Sequence, residues 1–300
     1  MMYYRSLNEE LKEKFGGKVY KIALDGGFTC PNRDGTIGCG GCIFCLGGSG
    51  DFAERDCGDV FEQIERAKAL VEKKNPGGKY IAYFQSYTNT YAPVERLEKL
   101  FSKAISHPDI VALSIGTRPD CLPDEVIALL ERLNRIKPVW VELGLQTIYE
   151  KTAEYIRRGY ALSVYESAVK RLKAAGIYVI THIIIGLPGE NSEMAVASAE
   201  YAGKIGSDGI KLQLLHVLRG TDLEKEYSTG KFEVLSMEEY ISVLEECIRH
   251  IPKSVTIHRL TGDGDKKSLI APLWSADKKR VLGAINAAFE KDDLMQGEKL

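Results

Sequence analysis

The residues most able to do chemistry are four cysteines that fall within 16 positions, from Cys30 to Cys45. They stand in the segment DGGFTCPNRDGTIGCGGCIFC, whose glycines suit a loop that wraps around a ligand. In a reducing compartment such crowded thiols indicate metal binding rather than disulfides. Three ligand sets stay open: an iron–sulfur cluster on Cys30, Cys42 and Cys45, one on Cys39, Cys42 and Cys45, or a structural zinc on all four.

The elements that must position this loop alternate between strands and helices. Amphipathic helical patterns separate continuously apolar stretches, which is typical of βαβ units with a parallel sheet covered on both faces. The predicted strands begin at Val19, Tyr80, Ile110, Val139, Ile177 and Ile210, with a weaker one from Ser254. We therefore predict an α/β fold, a partial (β/α)6 TIM-like barrel. Residues 1–235 would form its core with a short N-terminal extension, and residues 236–300 a C-terminal extension that packs on the same domain and caps the mouth.

Composition excludes some classes of protein and leaves others open. The 300 residues carry a net charge of −2, so no global basic signal favours nucleic acid, although 40 lysines and arginines allow a local basic face. No apolar run approaches the roughly 20 residues of a membrane span. The opening residues are polar and lack the apolar core of a signal peptide. These features predict a soluble, cytoplasmic protein.

Polar residues follow the apolar strands at the points where the strands end. Parallel α/β folds place their chemistry at the C-terminal ends of the strands. Glu142 is a carboxylate inside an apolar strand. Because burying an unpaired charge is costly, we expect Glu142 to have a charged or hydrogen-bonding partner or to bind a ligand. A nearby arginine, Arg157 or Arg158, could clamp a carboxylate as a bidentate pair. The other polar candidates at these ends are Gln85, Asn89, Thr117, Arg118 and Gln146.

The segments GGFTCPNRDGTIG and GGCIFC resemble the signature of a bacterial radical S-adenosylmethionine (SAM) family of mostly unassigned function. The resemblance covers almost the whole chain. It implies that Cys30, Cys42 and Cys45 hold a [4Fe–4S] cluster whose fourth iron binds SAM; Cys39 departs from the family pattern. Taken with the polar strand ends, it predicts that the cofactor is bound by Phe44, Gln85, Asn89, Thr117, Arg118, Glu142, Gln146, Arg158, Gly186, Leu187 and His216; Gln85 and Asn89 stand where many such enzymes carry a GGE-like segment.

The same resemblance implies a radical reaction. An external donor such as flavodoxin or ferredoxin would reduce the cluster, and SAM would be cleaved to methionine and a 5′-deoxyadenosyl radical. The segments ELGLQT and RRGY are similar to those of elongator-type radical SAM enzymes, which modify wobble uridines in tRNA, although Tyr160 stands where that group usually has His. This implies tRNA as the substrate. Radical chemistry on a small metabolite or a protein, and a non-catalytic zinc-bearing module, are the alternatives.

The C-terminal segment HRLTGDGDKKSLIAPLWS also resembles the matching segment of that family. It mixes cations, a carboxylate and an aromatic ring, which suits a flat polar ligand such as a flipped nucleobase. The residues predicted to bind substrate are Arg219, His258, Arg259, Asp263, Lys267 and Trp274.

Overall fold

A curved parallel sheet forms the centre of the computed structural model, which describes residues 3–47, 58–75, 77–262, 264 and 266–300. The strands are β1 Val19–Leu24, β2 Lys79–Phe84, β3 Ile110–Thr117, β4 Val139–Gln146, β5 Tyr178–Ile185, β6 Gly209–Leu214, β7 Val217–Leu218, β8 Thr256–Arg259 and β9 Leu269–Ala271. Seven of them pair in parallel in the order β1-β2-β3-β4-β5-β6-β8. The remaining two, β7 and β9, form a short antiparallel pair.

Helices between the strands cover the outer face of the sheet, and one helix that precedes the first strand packs against the inner face. They are α1 Leu7–Phe15, α2 Val60–Val71, α3 Val94–Ser106, α4 Asp124–Asn134, α5 Glu150–Tyr155, α6 Leu162–Ala174, α7 Ser192–Lys204, α8 Asp222–Ser228, α9 Met237–Arg249 and α10 Lys278–Lys291. Local sequence explains several of their ends. Ser6 with Glu9, and Ser236 with Glu239, form capping boxes, and Gly16 ends α1 in the left-handed region.

The two faces of the sheet have different neighbours. On the outer face, residues such as Leu24, Phe84 and Ile115 join the large apolar core shared with the helices. On the inner face, a smaller apolar cluster lies beneath the cavity described below and packs against α1, which supplies Leu11. This cluster closes the inner face near the amino-terminal ends of the strands, so the inner face is open to ligands only toward the carboxyl ends. The other strand residues of the cluster are Val19, Ile81, Ala112, Trp140 and Ile180.

The predicted partial barrel is confirmed, and the weak strand predicted from Ser254 is the seventh strand of the sheet. Because that strand comes from the C-terminal segment, residues after 235 take part in the barrel sheet itself. The backbone N–H of Ile257 donates to Arg5 O, which ties this segment to the amino terminus as well. The proposed boundary between 235 and 236 stays a prediction. Within the described part of the chain, no helix is both long and apolar enough to cross a membrane.

Candidate active site

A cavity of about 220 Å³ opens at the carboxyl ends of the strands and brings three of the clustered cysteines together with the inner face of the sheet. Cys30, Cys42 and Cys45 line one side of it. We call the cysteine side, with its flanking arginines Arg33, Arg118 and Arg158, the rim. We call the opposite, deeper side the floor; its residues are Tyr83, Glu142, His182, Lys211, Gln213 and Arg259.

The cysteine loop has no regular secondary structure and is held by its own backbone. The N–H of Arg33 donates to Cys30 O at 2.8 Å, and the N–H of Gly41 donates to Asn32 O at 2.7 Å. The amide of Asn32 also donates to Arg157 O at 2.6 Å and lies 3.6 Å from the Cys42 sulfur. The loop is therefore anchored to the turn after α5, and this anchor contacts one of the thiols directly.

The thiol sulfurs of the loop are spaced too widely for a single ion. Among Cys30, Cys39, Cys42 and Cys45, no three sulfur atoms lie within 4.8 Å of one another. A tetrahedral zinc with Zn–S bonds of about 2.3 Å would hold them about 3.8 Å apart. Burial raises the pKa of the Cys42 thiol to about 11, so this sulfur needs a strong positive partner to become a ligand. Cys39 is exposed and is not part of the cavity wall.

The arginines of the rim are bound to protein groups. Arg118 makes a bidentate pair with Asp120, at 2.9 and 2.8 Å, and donates to Arg158 O. Arg158 is almost fully buried and donates to the carbonyl oxygens of Leu145, Thr147 and Tyr160. Burial opposes the charged form of Arg118, but the hydrogen bonds and negative charge of Asp120 outweigh it and raise the pKa of Arg118 above its ordinary value. These arginines hold the strand ends in place around the cavity.

Gln146 offers a polar group that the protein itself does not satisfy. It ends β4 with φ 65°, a left-handed conformation that is uncommon for a non-glycine residue. Its buried Oε1 has no hydrogen-bond partner among the described residues. Gly116 and Gly144 line the same wall, and a Cβ at Gly144 would lie 2.7 Å from the Gln146 amide nitrogen. A free amide oxygen beside two bare backbone segments suits a polar cofactor that approaches closely.

The floor is a buried polar network centred on Glu142. Its Oε1 accepts from Lys21 at 2.7 Å and from Ser114 at 2.6 Å. Its Oε2 accepts from Tyr83 at 3.0 Å, from His182 at 2.7 Å and from Lys211. Burial opposes ionisation, but Lys21, Lys211 and His182 outweigh it and hold the pKa of Glu142 well below its ordinary value. Glu142 is therefore a buried, fully hydrogen-bonded carboxylate.

The protonation of His182 follows from this network. Burial, together with the charge of Lys211, lowers the pKa of His182 to about 4, so the ring is neutral at pH 7. Since Glu142 can only accept, the proton of His182 lies on Nε2, and Nδ1 accepts from the amide of Gln213 at 3.1 Å. The floor thus combines one carboxylate, one neutral imidazole and the cations Lys211 and Arg259.

Comparison with known proteins decides the family. The model of the Radical SAM superfamily matches residues 30–202, and that of the Radical_SAM C-terminal domain matches residues 207–291. The chain belongs to the radical SAM superfamily. The uncharacterized protein YtqA of Bacillus subtilis (strain 168) is 47% identical over 296 residues, which cover 98% of this chain and 92% of YtqA.

More distant relatives of this radical SAM protein carry names that mention tRNA. The tRNA uridine(34) acetyltransferase of Methanocaldococcus jannaschii is 30% identical over 156 residues, which cover 51% of this chain and 28% of that protein. The solved structure of the archaeal Methanocaldococcus infernus Elp3, with its N-terminus deleted, superimposes with a TM-score of 0.72 at 21% identity, over 93% of this chain and 64% of that one. The structural likeness shows that the two share a fold.

The cavity of the radical SAM protein gathers about half of the residues that the sequence singles out. All three thiols of one proposed ligand set line it, and Arg259 reaches it from the C-terminal segment. The predicted site residues that line the cavity are Cys30, Cys42, Cys45, Gln85, Thr117, Arg118, Glu142, Gln146, Arg158 and Arg259. Their roles as ligands stay predictions, but their positions are compatible with a shared site.

Several of the residues predicted to bind the cofactor lie outside the cavity wall. The buried Asn89 amide donates to Phe84 O and Gly116 O, so it ties β2 to β3 behind the cavity wall. Phe44 and Leu187 pack in an apolar cluster with Ile43. The conformation of Gly186, φ 89°, allows the turn after β5, and His216 packs against Gly262 and Gly264. None of these residues is part of the cavity wall as the described residues form it.

The predicted substrate residues are scattered. His258 is half-buried against Trp140 and Tyr178 on the apolar part of the inner face, at a register shift in the pairing of β6 with β8, and it does not line the cavity as Arg259 does. Trp274 packs on Tyr240 and donates to Leu235 O at 3.0 Å, outside the cavity wall. Arg219 and Lys267 are exposed and do not line the cavity, and Asp263 lies outside the described residues.

Lys211, Tyr83 and Gln213 are floor residues that sequence reasoning missed. The signal was present for Lys211, which stands inside the apolar strand segment IKLQLL as Glu142 stands inside VWVELGL. The argument that a buried charge needs a partner applies to both. Gln213 follows two residues later, on the same face of β6.

Proposed function

We propose that this radical SAM enzyme holds a [4Fe–4S] cluster on Cys30, Cys42 and Cys45 and uses SAM to modify a nucleoside of tRNA. The observation that carries the proposal is the cavity itself. It joins three thiols on one side to a hydrogen-bonding floor on the other, on the face of the barrel where parallel α/β folds place their chemistry.

The donor set fits an iron–sulfur cluster better than zinc. Three thiols face one cavity, Cys39 stays outside it, and the sulfurs are too far apart to share one small ion. When bound, such a cluster supplies the electron that cleaves SAM into methionine and a 5′-deoxyadenosyl radical, and flavodoxin or ferredoxin is the proposed reductant. Three protein ligands would leave one iron open for SAM.

Protein groups beside the thiols suit SAM. The unsatisfied Oε1 of Gln146 can accept a hydrogen bond from an amino group or a ribose hydroxyl. Gly116 and Gly144 leave room for close approach, and Thr117 lines the same wall. The chain's own contribution is therefore to orient the cofactor and exclude water from the cavity.

The tRNA part of the proposal rests on the relatives and on the shape of the site. The name of the Methanocaldococcus jannaschii relative includes tRNA uridine(34), and the match covers half of this chain. An enzyme that acts on a base must take the base out of its stack and into a pocket. The cavity here lies inside the barrel and is lined by hydrogen-bonding side chains, as such a pocket would be.

The proposal is tested with the anaerobically reconstituted protein. Reduced protein with SAM should form 5′-deoxyadenosine, and nucleosides digested from tRNA should differ between cells with and without the gene. The reconstituted protein should also bind that tRNA with an affinity that falls as salt rises. Unchanged nucleosides together with salt-independent or absent tRNA binding would refute the tRNA assignment, whereas absence of 5′-deoxyadenosine with a reducible cluster would refute the radical reaction.

A further inference from the structure

One lysine of the floor, Lys211, donates to a carboxylate that other donors already satisfy. Glu142 is the only Asp or Glu among the described residues that line the cavity, and its two oxygens already accept from Lys21, Ser114, Tyr83 and His182. A carboxylate has about four lone-pair positions. Lys211 is thus a fifth donor to a group that is satisfied without it.

Lys211 is also placed to bind something else. It is 4% exposed, yet it lines the cavity. Its ammonium carries three protons. One is given to Glu142 and one to the Tyr83 hydroxyl at 3.1 Å, which leaves the third for a ligand.

The electrostatics of the floor agree with this geometry. Burial is the main reason that the pKa of Lys211 falls to about 7, and the charges of Lys21 and Arg259 lower it further against the opposing effect of Glu142. Arg259 lines the same floor. A buried ammonium that faces one carboxylate among the described residues of the cavity is unfavourable, and an anion placed beside it would favour its charged form.

We infer that the floor binds a carboxylate of the substrate, held by Lys211 and facing Arg259. The inference rests on the proposed function, because the carboxylate would be a substituent of the base that enters the cavity. A backbone phosphate of RNA is the less suitable anion, since the floor lies inside the barrel, between β2, β4, β5, β6 and β8.

The carboxylate of SAM is not the anion that the floor selects. Lys211 and Glu142 lie within β6 and β4, whereas the thiol loop is bound to residues 157–158, which hydrogen-bond the end of β4. The floor and the thiols are thus at different ends of the cavity. With SAM bound at the thiols, the floor remains for a second molecule.

The test compares two flat probes on the reconstituted protein saturated with SAM. Uracil-5-carboxylate carries the acid, and uracil-5-carboxamide is its neutral counterpart of nearly the same shape. Calorimetry at pH 7 and low salt should show at least about tenfold tighter binding of the acid. Equal affinities, or no detectable binding of the acid at millimolar concentration, would overturn the inference, and this comparison needs no variant.

Two lysine variants test whether Lys211 causes the preference for the acid. Lys211→Met keeps the buried methylenes and leaves Glu142 its four other donors, so it should reduce the preference for the acid to less than about twofold. Lys137→Met is the matched control: Lys137 also has a pKa lowered by burial, but it donates to His107 O outside the cavity. It should keep the full preference, and a Lys211→Met protein that also keeps it would overturn the assignment to Lys211.

The outcome is separable from that of the tRNA proposal. Failure of tRNA binding with a retained preference for the acid would leave the floor as a carboxylate site for another substrate. A change in tRNA nucleosides with no preference for the acid would refute only the inference about the floor.

Discussion

The two ends of the cavity use their cations differently. At the rim, Arg118 pairs with Asp120 and Arg158 donates to backbone carbonyls, so both guanidinium groups stabilise the cavity wall. At the floor, Lys211 adds to a carboxylate that already has enough donors. The difference teaches that a buried cation in a site is not by itself a ligand-binding group: what matters is whether the protein already satisfies it.

The largest expected effect is at the rim and concerns the thiols. Cys30→Ala, Cys42→Ala and Cys45→Ala should each lose most of the iron after anaerobic reconstitution, because a missing thiolate exposes an iron. Cys39→Ala is the matched control and should keep its iron, since Cys39 is exposed and outside the cavity wall. Iron and sulfide analysis measures both. Loss of iron from Cys39→Ala with retention in Cys30→Ala would show that the other ligand set is in use.

The thiols illustrate how much of the site is local in sequence. Cys42 and Cys45 are three residues apart and Cys30 is in the same loop, so their spacing is visible without a structure. The fold was equally accessible, because each βα unit is marked by its own apolar run and helix pattern. Even the seventh strand was marked, weakly, by the segment SVTIHRL.

The floor was less accessible because its contacts join distant strands. Lys21 and Glu142 are 121 residues apart, and Lys211 and Tyr83 are 128 apart. Their meeting depends on the curvature of the sheet and on which face each strand turns inward. Sequence alternation shows that Lys211 and Gln213 share a face, but not that this face is the one that carries Glu142.

A second prediction tests whether the rim arginines hold the wall. Arg158→Met should lower the free energy of unfolding by about 2–4 kcal/mol, because it leaves the carbonyls of Leu145, Thr147 and Tyr160 without their buried donor. Its neighbour Arg157 is half-exposed and pairs with Asp222. Arg157→Met should cost less than about 1 kcal/mol.

Urea unfolding of the cluster-free variants measures this difference. Similar losses for the two arginines would mean that Arg158 is not a wall residue, and its charge would then be available to a ligand as that of Lys211 is. In that case the contrast between rim and floor would fail.

The smallest expected effect is the pH dependence that Lys211 gives to stability. Its pKa is about 7 in the folded protein against an ordinary value of 10.5. Between these values the unfolded chain holds a proton that the folded chain does not, so the free energy of unfolding rises with pH over that window. The groups that face Lys211 from neighbouring strands are Lys21, Tyr83, Glu142, His182 and Arg259.

The floor groups with shifted pKa values do not titrate between pH 7 and 10. The pKa of Tyr83 is raised well above 10, that of Glu142 is well below 4.5, and that of His182 is about 4. The stability difference between the wild-type protein and Lys211→Met should therefore rise by roughly 2 kcal/mol from pH 7 to pH 9.5, as the wild type loses the cost of a buried ammonium. Urea unfolding of both cluster-free proteins at several pH values measures it. If the stability difference between the two proteins does not change with pH, Lys211 is charged and fully paired across the range. The floor, like the rim, would then have no cation available to a ligand.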